Sequence, residues 1–296
     1  TKGLNGEDIS EMASLRDAGC IGVSDGGIPV ANSLVMRRVM MYAATFDLTI
    51  FLTPQDPWLR EGCAHEGEIS TRLGLPEIPE SAETAAIARD IALIEKRNIR
   101  AHFGRLSTAR GAELIEQAQK NRLKVTADVS AHQLFLTEHS VVGFDSNFNL
   151  LPPLRSVHDR TALRKAIADN TIAAICSDHQ PHEQDAKLGP FPSCEPGISS
   201  LETLLPLVLG LVRENVIDLP TALARVTCGP AGILGLNAGR LDTGSAADVC
   251  IFDPEKQWTL SDETMFSNGK NSPWLDKGLK GQVQYTLVDG QVVFER

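Results

Sequence analysis

The chain has 296 residues, 42% of them hydrophobic, with a formal net charge of -10 and a pI near 5.2. A chain of this size and composition can bury a large core, so disorder is not expected. The acidic balance argues against nucleic-acid and anionic-membrane binding, which need clustered basic residues. No apolar run approaches the ~20 residues that a membrane-spanning helix requires. Six scattered cysteines without a CxxC pair indicate reduced thiols, so we expect a soluble, cytoplasmic protein.

Short apolar runs alternate with longer amphipathic stretches, a pattern typical of parallel α/β folds. Strands are predicted, in chain order, at the end of Asp17–Asp25 and over Leu48–Thr53, Arg100–Leu106, Lys124–Val129 and Thr171–Ser177. Helices are predicted over Leu34–Ala44, Ala82–Lys96, Arg110–Asn121, Asp159–Ala168, Leu201–Glu214 and Leu219–Cys228. The sequence therefore predicts five parallel strands with helical crossovers.

The pattern changes at Gly239, after which short strands and turn residues predominate. Strands are predicted over Ala247–Phe252, Val283–Val288 and Gln291–Phe294, and the intervening Asp289-Gly290 is a strong hairpin signal. We therefore predict a domain over residues 1–238 and a small β segment over 239–296.

Polar residues stand at four predicted strand ends: Asp25, Thr53, Arg105 and Asp178. In an α/β barrel such positions share one face, where catalytic groups lie. The most informative segment is SDHQPH, beginning at Ser177, because a carboxylate at the end of a buried strand is costly to desolvate unless it binds something. A strand-end Asp that caps a loop explains this spacing equally well, so spacing alone does not decide the role of Asp178.

Several segments together resemble the dihydroorotases of the amidohydrolase superfamily. They are TIAAICSDHQPH at 171–182, PPLR at 152–155, PGI at 196–198 with Glu202-Thr203, NSPW at 271–274 and AAD at 246–248. The resemblance implies a metal-dependent-hydrolase (β/α)8 TIM barrel with a small composite β domain at its C-terminal end. It also implies a zinc pair that polarises a cyclic amide carbonyl and activates a bridging water, while a carboxylate transfers the proton. The implied reaction interconverts carbamoyl aspartate and dihydroorotate in pyrimidine biosynthesis.

Part of the family's site is present at matching positions. Asp25 matches the bridging metal ligand of the fourth barrel strand, and Asp178 matches the catalytic aspartate of the eighth strand. His182 matches a histidine that contacts substrate, and Gly197 lies in the PGI segment, which we also assign to substrate binding. We interpret Asp25 and Asp178 as vestigial.

Three other positions carry incompatible residues. Thr53 stands where the fifth strand supplies a liganding histidine, and a neutral hydroxyl is a weak zinc ligand. Arg105 replaces the liganding histidine of the sixth strand and brings a fixed positive charge to the place of the cation. Leu151 replaces the asparagine that contacts substrate before the Pro-Pro pair. His102 is retained but should lie out of line with the ligands, so we expect a structural role for it.

The family's first-strand His-x-His pair does not occur in this sequence. By strand count, Asp17–Asp25 contains the fourth barrel strand, so strands four to eight are represented. Because a barrel without three of its strands would expose sheet edges, we expect the natural protein to contain the preceding segment.

Three functional readings follow. We favour a catalytically deficient dihydroorotase homologue that acts as a homo-oligomeric scaffold for aspartate carbamoyltransferase, with zinc absent or substoichiometric. The first alternative is an active dihydroorotase or related cyclic amidohydrolase with a rebuilt metal site. Cys63, His65 and Glu66 could then supply ligands, although a solvated loop is the preferred interpretation of that cluster. The second is a binding module in which Arg105 and His182 hold an anionic ligand such as a carboxylate.

Overall fold

The computed structural model describes residues 1–95 and 98–296, and it contains two main sheets. The strands are β1 Gly22–Val23, β2 Thr49–Leu52, β3 Ala64–His65, β4 Glu77–Ile78, β5 Ala101–Phe103, β6 Val125–Ser130, β7 Ala174–Cys176, β8 Val249–Thr259, β9 Gly278–Val288 and β10 Gln291–Glu295. The helices are α1 Met12–Asp17, α2 Ser33–Thr45, α3 Glu68–Leu73, α4 Ser81–Ile94, α5 Ala109–Lys120, α6 Val157–Ala168, α7 Leu204–Arg213, α8 Leu219–Ala224 and α9 Cys228–Leu234.

The larger sheet has five parallel strands in the order β1-β2-β5-β6-β7. Apart from the short β3 and β4, each strand pairs with its predecessor in the chain, and most of the crossovers are helical. All five predicted strands are present, which confirms the α/β prediction. Because the strands are parallel, their carboxyl ends lie at one edge of the sheet, where the following loops begin.

Capping residues set the starts of the helices, and the apolar spacing of each helix sets the face that is buried. Asn32 caps α2 by accepting hydrogen bonds from the Leu34 and Val35 amides, and Ser156 forms a capping box with Asp159 at the start of α6. In α5 the residues at helical spacing, such as Ile115 and Ala118, are buried against the sheet. The apolar core lies between the helices and the five-stranded sheet.

The stretch between β2 and α4 is more ordered than the sequence indicated. It folds into α3 and the parallel pair β3–β4, where Ala64 is in register with Glu77. Cys63 and His65 are buried there, so the prediction of a solvated loop is wrong for these two residues, although Glu66 is exposed. Cys63 packs with Ile69 and Leu75 in a small apolar cluster, which explains why this loop excludes water.

The smaller sheet is antiparallel, in the order β10-β9-β8. The predicted hairpin is confirmed, because Asp289 and Gly290 both have positive φ and join β9 to β10. The sheet packs on α7 at Gly281, where an added methyl carbon would lie 2.4 Å from Leu209 Cδ1. The division at 238/239 stays a prediction.

Two predicted helices differ from the structure at their ends. The segment predicted as one helix, Leu219–Cys228, divides between α8 and the start of α9, and a 3-10 turn precedes α7. The predicted helix Ala82–Lys96 corresponds to α4, but Lys96 lies outside the described residues. Within 1–95 and 98–296, no helix combines the length and apolar character needed to cross a bilayer.

Candidate active site

The four strand-end residues lie at the carboxyl edge of the five-stranded sheet. Asp25 and Thr53 follow β1 and β2, and Arg105 and Asp178 follow β5 and β7. Three of the four, Thr53, Arg105 and Asp178, line one cleft of about 590 Å³. The rest of its wall comes from Ser24, Gly26, Gly27, Phe51, Leu52, His102, Gly104, Asp128, Cys176 and Gln180. The four residues thus share one edge of the sheet, as expected for strand ends, while their roles stay predictions.

Arg105 and Asp178 form an ion pair across this cleft, with Arg105 Nη1 3.2 Å from Asp178 Oδ1. The same carboxylate oxygen accepts a hydrogen bond from Gln180 at 2.9 Å, and Oδ2 accepts one from Ser130 at 3.2 Å. Both Arg105 and Asp178 have left-handed backbone conformations, with φ of 59° and 50°. The carboxylate that would serve as the catalytic base is thus held by three donors.

The other two strand-end side chains have partners at the neighbouring loop. The Thr53 hydroxyl donates a 2.6 Å hydrogen bond to the Gly26 carbonyl. The Asp25 carboxylate contacts the hydroxyl of Thr1. The Thr53 hydroxyl is thus used to join the β1 and β2 loops.

Asp128, on β6, is a site residue that sequence reasoning missed. It accepts hydrogen bonds from His102 Nε2 at 2.7 Å, the Arg105 amide at 2.8 Å and the Cys176 thiol at 3.2 Å. Burial alone would raise its pKa, but the bond from His102, the charge of that ring and the other donors together lower it. The signal was an aspartate within the apolar strand KVTADV, beside the strand that carries His102.

His102 has a structural role in this arrangement. Its Nδ1 lies 2.8 Å from Thr126 Oγ1, and its Nε2 is taken by Asp128. Both ring nitrogens are therefore engaged across the β5–β6 pair, in line with the structural role expected for it.

His132 lies beneath the ion pair, where it is 1% exposed. Its Nε2 is 4.0 Å from Asp178 Oδ2, and its Nδ1 has no partner among the described residues. Burial lowers the pKa of His132 to about 4, and the charge of Asp178 only partly opposes this. The ring is therefore neutral near pH 7.

The three positions assigned to substrate contacts lie outside this cleft lining. His182 contacts the Pro196 carbonyl at 3.1 Å and lines a separate cleft with Lys187 and Asn271. Gly197, with φ of 140°, has no room for a side chain, since an added methyl carbon would lie 2.6 Å from Gln180 Cβ. Leu151 is half-buried and precedes Pro152 through a cis peptide bond. The substrate-binding roles of His182 and Gly197 stay predictions.

A buried polar network lies between β3 and α6, centred on Arg155. Its Nη1 is 2.7 Å from the Ile78 carbonyl and 3.1 Å from His65 Nδ1, and its Nε donates to the Ser107 hydroxyl at 3.2 Å. Ser107 and Thr108 each donate two hydrogen bonds to Glu83, which is 1% exposed. Burial raises the pKa of Glu83 even though Arg155 and these donors oppose it.

His65, Glu80 and Asp159 offer ligand atoms within 4.8 Å of one another and form a possible metal-binding group. His65 and Asp159 already have protein partners, however. Arg155 contacts the His65 ring, and Asp159 accepts from the Ala109 amide at 2.8 Å. The Arg155 guanidinium thus contacts one of the two ring nitrogens that His65 could offer to a metal.

The donor chemistry at the strand ends does not fit a pair of zinc ions. Zinc in proteins takes imidazole, thiolate or carboxylate ligands. Asp25 offers a carboxylate, but Thr53 offers a hydroxyl bound to a carbonyl, and Arg105 offers a protonated guanidinium. A fixed cation beside Asp178 repels a second cation, so the described residues here do not build a dinuclear centre.

Comparison with known sequences identifies the family. A family model described as "Amidohydrolase family" matches residues 61–293, and one described as "Dihydro-orotase-like" matches residues 1–109. The chain is 50% identical over 296 residues to the "Dihydroorotase-like protein" of Pseudomonas aeruginosa, covering 100% of the chain and 70% of that protein. The chain belongs to the dihydroorotase-like members of the amidohydrolase family.

Two further relatives support this assignment. The "Dihydroorotase-like protein" of Pseudomonas putida is 51% identical over 99% of this chain and 69% of its own length. The "Dihydroorotase" of Geobacter sp. (strain M21) is 43% identical over 100% of the chain and 70% of its own length. This dihydroorotase-like chain therefore spans about 70% of the curated relatives' length.

Solved structures confirm the fold. A D-hydantoinase superposes with a TM-score of 0.82 at 22% identity, covering 95% of this chain and 65% of its own. An L-hydantoinase (dihydropyrimidinase) from Arthrobacter aurescens gives 0.83 at 22% identity, covering 96% and 67%. The neighbours share the amidohydrolase TIM barrel, which confirms the predicted fold class.

Proposed function

We propose that this dihydroorotase-like protein is catalytically deficient and acts as a scaffold for aspartate carbamoyltransferase in pyrimidine biosynthesis. The observation that carries the first half is the ion pair between Arg105 and Asp178. We further propose that the protein is cytoplasmic and forms a homo-oligomer.

The ion pair affects both parts of the expected chemistry. A dinuclear hydrolase needs ligands that attract two cations, whereas Arg105 supplies a cation of its own. It also needs a base that can take a proton from water, whereas the Asp178 carboxylate already accepts bonds from Arg105, Gln180 and Ser130. Water activation and proton transfer are therefore both weakened.

The names of the relatives agree with this proposal. The two relatives at 50% and 51% identity are named dihydroorotase-like protein, whereas those at 43% and 42% are named dihydroorotase. The chain is thus more similar to the proteins with the qualified name.

The alternative, an active cyclic amidohydrolase with a rebuilt metal site, rests on the group of His65, Glu80 and Asp159. The contact between His65 and Arg155 weakens it. Replacing His65 with Gln distinguishes the two, since only a rebuilt site would lose metal together with activity.

The deciding experiment measures zinc per chain and dihydroorotate ring opening on the full-length protein purified in metal-replete medium. We expect substoichiometric zinc and no turnover above background, with the Geobacter sp. dihydroorotase as a positive control. One or more zinc ions per chain together with turnover would refute the deficiency.

The scaffold role needs a separate measurement. We expect the full-length protein and aspartate carbamoyltransferase of the same organism to sediment as one complex in analytical ultracentrifugation. Independent sedimentation at micromolar concentrations of both would refute this role.

A further inference from the structure

A second cleft lies between helix α7 and the small antiparallel sheet. Its volume is about 560 Å³, which is in the range of small-molecule sites. Helix α7 forms one wall with Gly210 and Arg213, and the sheet forms the other with Trp258 on β8 and Lys280 on β9. In the described part of the chain, it shares no lining residue with the cleft at the strand ends. Binding here is therefore separate from the strand-end chemistry.

A glycine within α7 lets an aromatic ring approach the helix closely. Glycine is unfavourable in the interior of a helix, so its presence there calls for a packing reason. Gly210 is buried, and an added methyl carbon would lie 2.9 Å from Phe135 Cζ, which is closer than such atoms can approach. The missing side chain thus admits the ring edge of Phe135, which becomes part of the cleft wall.

Two aromatic residues line the cleft, and neighbouring groups hold both rings in place. The guanidinium carbon of Arg164 lies 5.0 Å from the centroid of the Phe135 ring. Trp258 Nε1 donates a 2.9 Å hydrogen bond to the Gly281 carbonyl, and the guanidinium carbon of Arg296 lies 5.5 Å from the Trp258 ring. Because these contacts already fix the rings, a planar ligand packs against them at little cost in side-chain ordering.

Arg213 brings a positive charge to the cleft that no carboxylate neutralises. Its Nη2 donates to the Pro206 carbonyl at 3.2 Å, and its Nη1 donates to the Lys280 carbonyl at 3.4 Å. Both acceptors are neutral, and no carboxylate among residues 1–95 and 98–296 lies within ion-pair distance of this guanidinium. A guanidinium has five N–H donors, so donors remain for a ligand.

The other charges at the cleft balance one another. Lys280 Nζ lies 2.5 Å from Glu255 Oε2, and Glu214 Oε2 lies 2.6 Å from Arg164 Nη1. The charge of Arg213 is thus in excess at this place, although the whole chain has a net charge of -10. An uncompensated cation beside aromatic rings attracts an anion.

We propose that this cleft binds a nucleoside phosphate, with the base against Phe135 and Trp258 and the phosphate on Arg213. Aromatic side chains stack with every kind of base, and guanidinium groups bind phosphate through paired, charge-assisted hydrogen bonds. The inference goes beyond the proposed function, because it concerns another site and holds whether or not the protein hydrolyses an amide. A bound nucleotide contacts both α7 and the small sheet, so it stabilises their contact.

The test is isothermal titration calorimetry of the full-length protein with AMP and UMP, with adenosine and uridine, and with inorganic phosphate. We expect at least one nucleotide to bind at least about tenfold more tightly than its nucleoside and than phosphate, since hydrogen bonds to charged groups are the strong ones. No binding of either nucleotide at millimolar concentration would overturn the site. Equal affinity for phosphate would overturn the role of the rings, and equal affinity for the nucleoside would overturn the role of the arginine.

Substitutions at the cleft predict changes in both directions. Arg213→Met should weaken nucleotide binding at least about tenfold, and Arg213→Lys should give a smaller loss because it keeps the charge without the fork. Glu214→Gln should instead strengthen binding, because it removes a negative charge from the wall and releases Arg164 from its ion pair. A gain in affinity cannot come from a variant that fails to fold.

Arg37→Met is the matched control, because Arg37 is an exposed arginine on α2, away from this cleft. Its nucleotide affinity should equal that of the wild type, and circular dichroism should show that all variants are folded. Nucleotide binding that Arg213→Met leaves unchanged, or that Glu214→Gln weakens, would contradict the assignment.

Discussion

Arg105 and Arg155 both lie in segments that follow strands of the larger sheet, but their surroundings differ. Arg155 is 2% exposed, and all three of its guanidinium nitrogens have partners, among them two carbonyls and a hydroxyl. The side chain of Arg105 is 23% exposed, and Asp178 is its hydrogen-bond partner among the described residues. Full satisfaction marks Arg155 as part of the framework, whereas incomplete satisfaction marks Arg105 as a group with donors to spare.

Arg155 belongs to the buried framework of the fold, whereas Arg105 belongs to the lining of the cleft. Arg155, at the end of the PPLR segment, contacts His65 and the Ser107 hydroxyl that also binds Glu83. Changes at Thr53 and Arg105 affect side chains at the cleft, where the fold tolerates them. Side chains at the cleft can thus vary while the buried network behind them stays intact.

The largest expected effect is from Arg155→Met, which would remove the centre of the buried polar network. We expect a loss of about 3–5 kcal/mol in the free energy of unfolding, because buried acceptors would lose the donors of Arg155 and the buried Glu83 would lose a nearby positive charge. Urea denaturation followed by circular dichroism measures it. The exposed Arg110→Met is the control and should change stability by no more than about 0.5 kcal/mol. A loss below about 1 kcal/mol for Arg155→Met would contradict the network's role.

The burial of His132, next to Asp178, can be tested through the pH dependence of the unfolding free energy. Its pKa is about 4 in the folded protein, below the ordinary 6.5, so the unfolded chain binds the proton more readily. The stabilising contribution is complete above pH 6.5 and is lost as the pH falls through about 4. Relative to His132→Gln, the wild type should lose up to about 3 kcal/mol between pH 7 and pH 4.

The measurement is urea unfolding of both proteins at pH intervals across this range. His158→Gln serves as a control histidine on the exposed side of α6. Parallel stability curves for the wild type and His132→Gln would show that the ring is not buried as described.

Asp128→Asn removes a negative charge from the cleft that Arg105 also lines. The amide cannot accept from His102, the Arg105 amide and Cys176 at once, so one donor meets a donor. We expect a loss of about 2 kcal/mol in unfolding free energy. Asp145→Asn, an exposed position, provides the comparison, and equal stabilities of the two variants would argue against the role given to Asp128.

The smallest expected effect is from Thr53→Val. It removes the hydroxyl that joins the β2 end to Gly26 and should lower the unfolding free energy by about 1 kcal/mol. Zinc content should stay as in the wild type, because the hydroxyl is not expected to bind metal. Thr45→Val, on the exposed end of α2, controls for the substitution itself, and a fall in bound zinc for Thr53→Val alone would contradict our interpretation.

Much of the fold was predictable from the sequence because it depends on local patterns. Apolar runs such as TIAAICS indicate buried strands, and Asp289-Gly290 has the preferences of a tight hairpin turn. The helix end at Ala224 was missed because apolar spacing continues across the break between α8 and α9. The folded segment around Cys63 was missed because its burial depends on Ile69 and Leu75, which local composition does not pair with it.

For the site, the sequence predicted which edge of the sheet carries polar groups but not how they pair. The position of Arg105 came from a motif, whereas its bond to Asp178 depends on the distance between β5 and β7. Asp128 was missed because its contacts depend on neighbours that come from other strands. Pairings between distant segments are thus the part that needs three-dimensional structure.

The left-handed main chain at Arg105 determines which residues can replace it without a rearrangement of the backbone. Histidine is among the non-glycine residues that adopt this conformation readily, together with asparagine and aspartate. An exchange of Arg105 for histidine would therefore need no rearrangement of the backbone, and the Asp128 carboxylate that anchors the amide would stay in place. At this one position the backbone thus accepts either side chain, whereas Thr53 at the end of β2 would have to change as well before two imidazoles faced the cleft.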